Sequence, residues 1–417
     1  MNITILTAGS QGDIQPYLAL AVGLKNTGYQ VKFVANVNFA GFIAGYDLDF
    51  YPIQVDSFKF AQTPQGRAWL ESDTLLKLIW NTPRVVRPVV HQIFNDVLNA
   101  CQEADALIYN SFTLPFVHYI GKSLDIPCIP TSTDPLPTRA HPAIPINIKW
   151  SGSKTFNILS HILVHQFAWQ VFLPIVRKSF KGKVNISMLN PYRQILASQT
   201  PVLCAYSSSV LPRPVDLPDQ VMITGYWFLE SDRIWQPDPE LITFINLKQR
   251  PIYIGFGSMG NSDKKDSTVE MVLEALAETK QRAVLGAGWS EMGAGQKLPG
   301  NIFLLKSIPH RWLFPQMSVV VHHAGPGTTA EALSGGVPSV TVPHFASQYF
   351  YADRLAEAGV SPAPIARRHL STKQLAEAIS IALTDQTMRA KADSLGAQIR
   401  AEDGIENAVS AIRTFLG

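Results

Sequence analysis

VVHHAGPGTTAEALSGGVPSV, residues 320–340, decides how this chain reads. Two valines run straight into a histidine pair, a glycine-rich turn, two threonines and a glutamate, and a second glycine pair leads to another apolar run. The pattern predicts a strand ending near His322 and a helix beginning near Thr328. Gly325 and Gly327 let the backbone come close to a ligand, and the free N–H groups of a helix start favour an anion. Thr328 and Thr329 add hydroxyls there, and His323 can donate to a phosphate oxygen. Glu331, about one turn along, can accept from sugar hydroxyls, as acids do for ribose in dinucleotide-binding folds. A glycine turn, a threonine cap and packed histidines would explain each feature singly. Together, within residues 323–331, they favour a site for a phosphate and a sugar over simple packing.

The same grammar repeats along the chain. Residues 3–6 form an apolar run, followed by the turn TAGSQGD, a helical pattern with Pro16 near its start and Gly28 at its end, and a strand over 30–34. That is a βαβ unit, with a proline where a missing N–H does no harm. Further strands are predicted over 48–53, 106–109 and 128–130, then over 252–256, 283–285, 302–305, 319–321 and 339–342. Helices are predicted over 267–279 and 404–415. Alternation of this kind implies α/β architecture: two doubly wound, Rossmann-like parallel-sheet domains facing a shared cleft. The expected division is an N-terminal domain over 1–215, a proline- and acid-rich linker over 216–245, a C-terminal domain over 246–400, and a terminal helix over 401–417 returning to the first domain.

Bulk properties narrow the function classes. In 417 residues, 46% are hydrophobic and 16% charged, as in a globular protein with large cores. The net charge of +3 without a long basic block gives no support to nucleic-acid binding. Cys101, Cys128 and Cys204 lack metal-ligand spacing and suit a reducing, cytoplasmic setting. The first residues have no basic leader. One segment resists that setting. Residues 158–176 (ILSHILVHQFAWQVFLPIV) carry no charge and are flanked by Lys149, Lys154, Arg177, Lys178, Lys181 and Lys183. Two histidines, two glutamines and a proline argue against a membrane span. The segment reads as a buried helix or helix pair, or as an apolar acceptor pocket or peripheral membrane-surface element.

HHAGPGTTAEALSGGVP resembles the nucleotide-sugar signature of the family 1 glycosyltransferases. GSQGDIQPYLALA near the start, GYWFL at 225–229, GFGSM at 255–259 and PHRWLFP at 309–315 are similar to further landmarks of that family, in order. The likeness spans nearly the whole chain and is greatest to the branch containing sterol, lipid and antibiotic glycosyltransferases. It implies the GT-B fold and inverting transfer from a nucleotide-diphosphate sugar, UDP-glucose first among them. The acceptor would be a hydroxyl of an apolar molecule such as a sterol, terpenoid, carotenoid, lipid or phenol, and neither a metal nor a cofactor is expected. Residue by residue, it implies that Asp13 is the catalytic base and that Gly12 and Ser10 shape the turn beside the donor. His323 and the Gly325–Thr328 turn would hold the diphosphate, with Ser258 near it, and Glu331 the ribose. The segment 307–312, with Ile308 and Trp312, would frame the nucleobase. An acceptor hydroxyl must lose its proton as it attacks the anomeric carbon, which gives Asp13 its purpose; capping the helix is its structural alternative.

The pattern departs in one place. Family members carry an acidic residue and a glutamine for the transferred sugar, whereas PHFASQYF places Ser347 and Gln348 there. The donor sugar is therefore open, deoxy sugars included. Asp47-Leu48-Asp49 resembles a metal-binding DxD but sits in a strand pattern of the acceptor half. Trp69, Trp80 and Phe94 add to an apolar acceptor side. A sugar-nucleotide epimerase on the same scaffold, or a non-catalytic nucleotide-sugar binder, are the competing readings.

Overall fold

Short apolar runs alternating with helices produce two wholly parallel sheets. The computed structural model describes the chain except residues 65, 67–88, 112, 144–152, 181, 183, 231–234, 248, 257–264, 287–297, 306–307 and 345. Trp69, Trp80, Ser258 and Ser307 thus lie outside the described residues. The chain divides into two units, Met1–Leu229 with Asp403–Gly417, and Glu230–Glu402.

The first unit holds strands β1 (Asn2–Leu6), β2 (Gln30–Asn36), β3 (Asp49–Ile53), β4 (Ala106–Asn110), β5 (Cys128–Ser132), β6 (Val202–Cys204) and β7 (Val221–Ile223). Their spatial order is β3-β2-β1-β4-β5-β6-β7, every pair parallel. The second holds β8 (Ile252–Gly255), β9 (Ala283–Leu285), β10 (Ile302–Leu304), β11 (Val320–His322) and β12 (Ser339–Thr341). Its order is β10-β9-β8-β11-β12, again parallel throughout. Strand β4 (ALIYN) is buried along its whole length, as expected of a sheet covered on both faces. Strand order reverses between β1 and β4 in one sheet and between β8 and β11 in the other. Ligands bind such sheets at these switch points, beyond the strands' carboxyl ends. The turns singled out in the sequence follow β1, β8 and β11.

Three expectations need correction. The first helix, α1 (Gln11–Asn26), starts earlier than predicted, with Pro16 inside it. The cap formed by Ser10 and Asp13 starts it upstream of the proline, which removes the N–H that would have paired with the Gly12 carbonyl. The stretch 216–245 is not simply linker. Its early part is β7, an edge strand of the first sheet, and the division between units falls after Leu229. Residues 158–176 lie in one helix, α2 (Lys154–Phe180), with a 48° bend between Lys154–Phe167 and Phe172–Phe180. No single helix among the described residues is long and apolar enough to cross a membrane. Trp169, Leu173, Val176 and Phe180 join the core on β4, but Leu159, Ile162 and Leu163 are exposed, so the helix is only half buried.

Asp47 and Asp49 belong to the surface. Asp47 pairs with Lys25 at 2.6 Å, and that ammonium lowers its carboxyl pKa. All three cysteines are free.

The C-terminal helix, Gly404–Leu416, packs on α1 through Ile405, Val409 and Ile412. A Cβ at position 404 would lie 2.3 Å from the Tyr226 carbonyl oxygen and 2.8 Å from the Gly225 carbonyl carbon. Backbone atoms cannot rotate away, so Gly404→Ala should cost about 1–3 kcal/mol, read as a lower denaturant midpoint. An unchanged midpoint would contradict this packing.

Candidate functional site

In the first unit, the turn between β1 and α1 is tied on every side. The Thr7 hydroxyl donates to the Asp13 carbonyl at 2.8 Å. Gly9 N–H donates to Asn36 Oδ1 at 3.0 Å, and Asn36 Nδ2 donates to the Val55 carbonyl at 2.9 Å. The Ser10 amide and hydroxyl both donate to Asp13 Oδ2, each at 2.8 Å. Gly9 has φ +139°, and a Cβ there would come within 2.5 Å of that same oxygen. Only glycine lets the carboxylate lie over the turn. Gly12 is different: it is exposed, and a Cβ would meet only Ser10 Oγ at 3.7 Å, so the turn's own packing does not require a glycine. Burial raises the Asp13 pKa against the lowering effect of the Ser10 hydrogen bonds. Asp13 thus has a capping role, and its raised pKa also suits a base. A recess lined by Ala8, Ile93, Phe94, Leu114, Phe116 and Phe172 begins one residue before Gly9.

In the second unit, His322 ends β11 and Gly325 caps the helix α3, Pro326–Ser334. That helix starts two residues before the predicted Thr328, because proline suits a first helical position. Ala324 takes φ +61°, a left-handed conformation costly for a non-glycine residue. A Cβ on Gly325 would come within 2.4 Å of His323 Nε2, so the glycine makes room for that ring. The first amides of α3 have no intrahelical partner.

Around this helix start lies a group of buried polar atoms without a protein partner: His322 Nε2, His323 Nδ1, Thr329 Oγ1, Glu331 Oε2 and His344 Nε2. Native interiors pair nearly all such atoms. Their concentration at a switch point marks a place built for a polar ligand. His322 Nδ1 accepts from Ala324 N–H at 3.2 Å, which leaves its proton on the unpartnered Nε2. The His323 and His344 rings are 6.4 Å apart. Burial first of all lowers the pKa of His310 and His323 to about 4, and of His322 and His344 to about 3. These imidazoles are neutral hydrogen-bonding groups at neutral pH. Burial raises Glu331 to about 7, opposed by the positive charge of Arg311.

Such histidines make folding acid-sensitive. Their ordinary value is 6.5, so below that pH the unfolded chain binds more protons than the folded one. Stability is full above about pH 6.5 and is lost as pH falls towards 4. His118, His161 and His165 in the first unit act in the same direction, while Asp13 and Glu331 oppose. The denaturant midpoint should fall between pH 7 and pH 4.5; a constant midpoint would contradict the burial.

The remaining predicted residues divide. Ile308 and Trp312 are half-buried against the second unit's core. Trp312 meets Trp235 edge-on at 5.2 Å. Gln348 is buried, and its Oε1 accepts from His344 N–H at 2.8 Å; it braces the loop after β12. Ser347 is half-buried beside it in the helix Ala346–Glu357. Sequence reasoning missed His344 and Trp235. A lone tryptophan among prolines and acids was a signal for the second; nothing local pointed to the first.

Known proteins share this chain's sequence pattern and fold. Residues 3–106 match the model of the glycosyltransferase family 28 N-terminal domain. Residues 270–412 match the erythromycin biosynthesis protein CIII-like C-terminal domain. A sterol 3-beta-glucosyltransferase of Arabidopsis thaliana is 33% identical over all of this chain, which spans 68% of that protein. Another from Candida albicans is 32% identical, again over the whole chain, but only 28% of its own length is spanned. Among solved structures, the kitacinnamycin glycosyltransferase aligns over 100% of this chain and 99% of its own, with TM-score 0.73 and 15% identity. The calicheamicin glycosyltransferase aligns over 100% and 98%, with TM-score 0.71 and 17% identity. These two share the GT-B fold.

Proposed function

The chain belongs to the sterol and antibiotic branch of the family 1 glycosyltransferases, and on that premise we propose that it moves a hexosyl group from a nucleotide-diphosphate sugar to the hydroxyl of a sterol or similar apolar alcohol. The observation carrying this reading is the set of unpartnered buried atoms at the start of α3. The free amides, His323 and Thr329 suit a diphosphate, and Glu331 suits the ribose. Neutral His323 donates a hydrogen bond to the departing diphosphate rather than a charge. Hydrogen-bond donors placed where charge develops are a large source of rate. We propose that no metal is needed for this step.

Asp13 takes the acceptor's proton as its oxygen attacks the anomeric carbon. The diphosphate leaves from the opposite side, so an α-linked donor gives a β-glycoside. The recess beside the Asp13 turn is apolar, in keeping with an apolar acceptor body. UDP-glucose is the preferred donor on the likeness to sterol 3-beta-glucosyltransferases. Ser347 and the thymidine diphosphate bound to a related Streptomyces glycosyltransferase keep deoxy-sugar donors in the test. Three free cysteines fit a cytoplasmic location.

The test is release of nucleoside diphosphate from UDP-glucose, UDP-galactose, UDP-N-acetylglucosamine and dTDP-rhamnose, each with and without a sterol. Release that depends on the sterol supports transfer. Conversion of the donor sugar without any acceptor would instead favour an epimerase.

A further inference from the structure

Helix α2 carries a stripe that the transfer reaction does not use. Leu159, Ile162, Leu163, Gln166 and Gln170 recur at helical spacing and fall on one side. Leu159, Ile162 and Leu163 are 50%, 39% and 68% exposed. The opposite side, with Asn157, Ser160 and His161, is buried. The segment Met188–Leu189 is fastened along the stripe. Gln166 Nε2 and Gln170 Nε2 both donate to the Met188 carbonyl, at 2.9 and 2.7 Å, and Asn190 N–H donates to Gln166 Oε1 at 3.0 Å. Met188 and Leu189 are themselves more than half exposed. Five of the thirteen exposed large apolar side chains among the described residues therefore gather on this one face. Gathered apolar exposure marks an interaction surface, whereas scattered residues do not.

Charge says what covers it. Residues 135–215 contain nine lysines and arginines and no aspartate or glutamate, in a chain whose net charge is only +3. Lys154, Arg177 and Lys178, near the two ends of α2, are exposed. A second copy of the same basic face would repel it. A nucleic acid would leave the leucines without a partner. An anionic bilayer satisfies both features, because apolar side chains enter the acyl boundary while lysines and arginines meet the headgroups.

We propose that this face of α2, with Met188 and Leu189, seats the protein on an anionic lipid surface. Binding there is independent of the donor and of transfer, so it stands or falls without the functional reading above.

The experiment is co-sedimentation of the full chain with phosphatidylcholine vesicles, with and without phosphatidylglycerol. Wild type should pellet with the anionic vesicles and be released by salt. Leu163→Glu with Leu189→Glu should weaken the partition about tenfold or more while leaving the thermal midpoint unchanged, since both side chains are exposed. Lys154→Gln with Lys178→Gln should weaken it with less salt dependence. Leu247→Glu, at an exposed leucine of the other unit, should bind like wild type. Wild type that stays in the supernatant would overturn the proposal, as would a Leu163/Leu189 variant that pellets equally. So would a concentration-dependent dimer dissolved by Leu163→Glu, which would give the face to a second copy.

Discussion

Asp13→Asn is expected to lower acceptor-dependent turnover by roughly 10²–10⁴-fold and to leave donor affinity unchanged. Asparagine keeps an oxygen for the Ser10 amide and hydroxyl, so the cap survives while the ability to take a proton is lost. A residue that only capped α1 would give small changes in rate and in stability alike, because asparagine preserves the cap. The pH profile supplies a second readout. Burial holds the Asp13 carboxyl above its ordinary value, and the carboxylate must be ionised to act. Turnover should therefore fall as pH drops through that raised pKa, earlier than for an ordinary aspartate. Gly9→Ala attacks the same geometry from outside. Its Cβ would stand 2.5 Å from Asp13 Oδ2, so kcat should fall with little change in the donor KM.

Glu331→Gln is expected to stabilise the protein and weaken donor binding at once. Glu331 is buried, with Oε2 unpartnered, and its pKa is raised to about 7 from 4.5. Above pH 4.5 the unfolded chain ionises this group while the folded chain resists, so ionisation works against folding. The cost is absent below pH 4.5, grows up to about pH 7 and is constant beyond. Glutamine removes it, giving a gain of up to about 3 kcal/mol near pH 8. The same change removes a charged acceptor from the ribose, a loss of about 1.5–3 kcal/mol, or roughly 10–100-fold in donor affinity. Denaturation and donor titration of one variant check both halves. A variant that binds donor as well as wild type would remove Glu331 from the site.

How much of this was legible in the sequence depends on the range of the interactions involved. The turns after β1 and β11 were readable because glycine, serine, aspartate and histidine stand at strand ends, and strand ends are where such sheets bind ligands. Strands β6 and β7 were not: though no shorter than β9 to β12, which were readable, they flank a stretch of prolines and aspartates over 211–219 that reads as linker. The start of α1 was misplaced because Pro16, a strong local signal, outweighed the equally local capping box of Ser10 and Asp13. His344 had no local signature. Its meaning comes from β12 lying beside β11, which brings its ring near His323. The exposed stripe of α2 was hidden for the reverse reason: a segment apolar all round shows no face until the fold covers one.

The most direct test is analysis of the product formed from UDP-glucose and a sterol by mass spectrometry and proton NMR. The expected product is the sterol plus one hexosyl residue, with the large anomeric coupling of a β-glycoside, absent with Asp13→Asn. Free glucose or an isomerised donor in place of a conjugate would contradict transfer, and an α-linked conjugate would contradict the inverting attack assigned to Asp13.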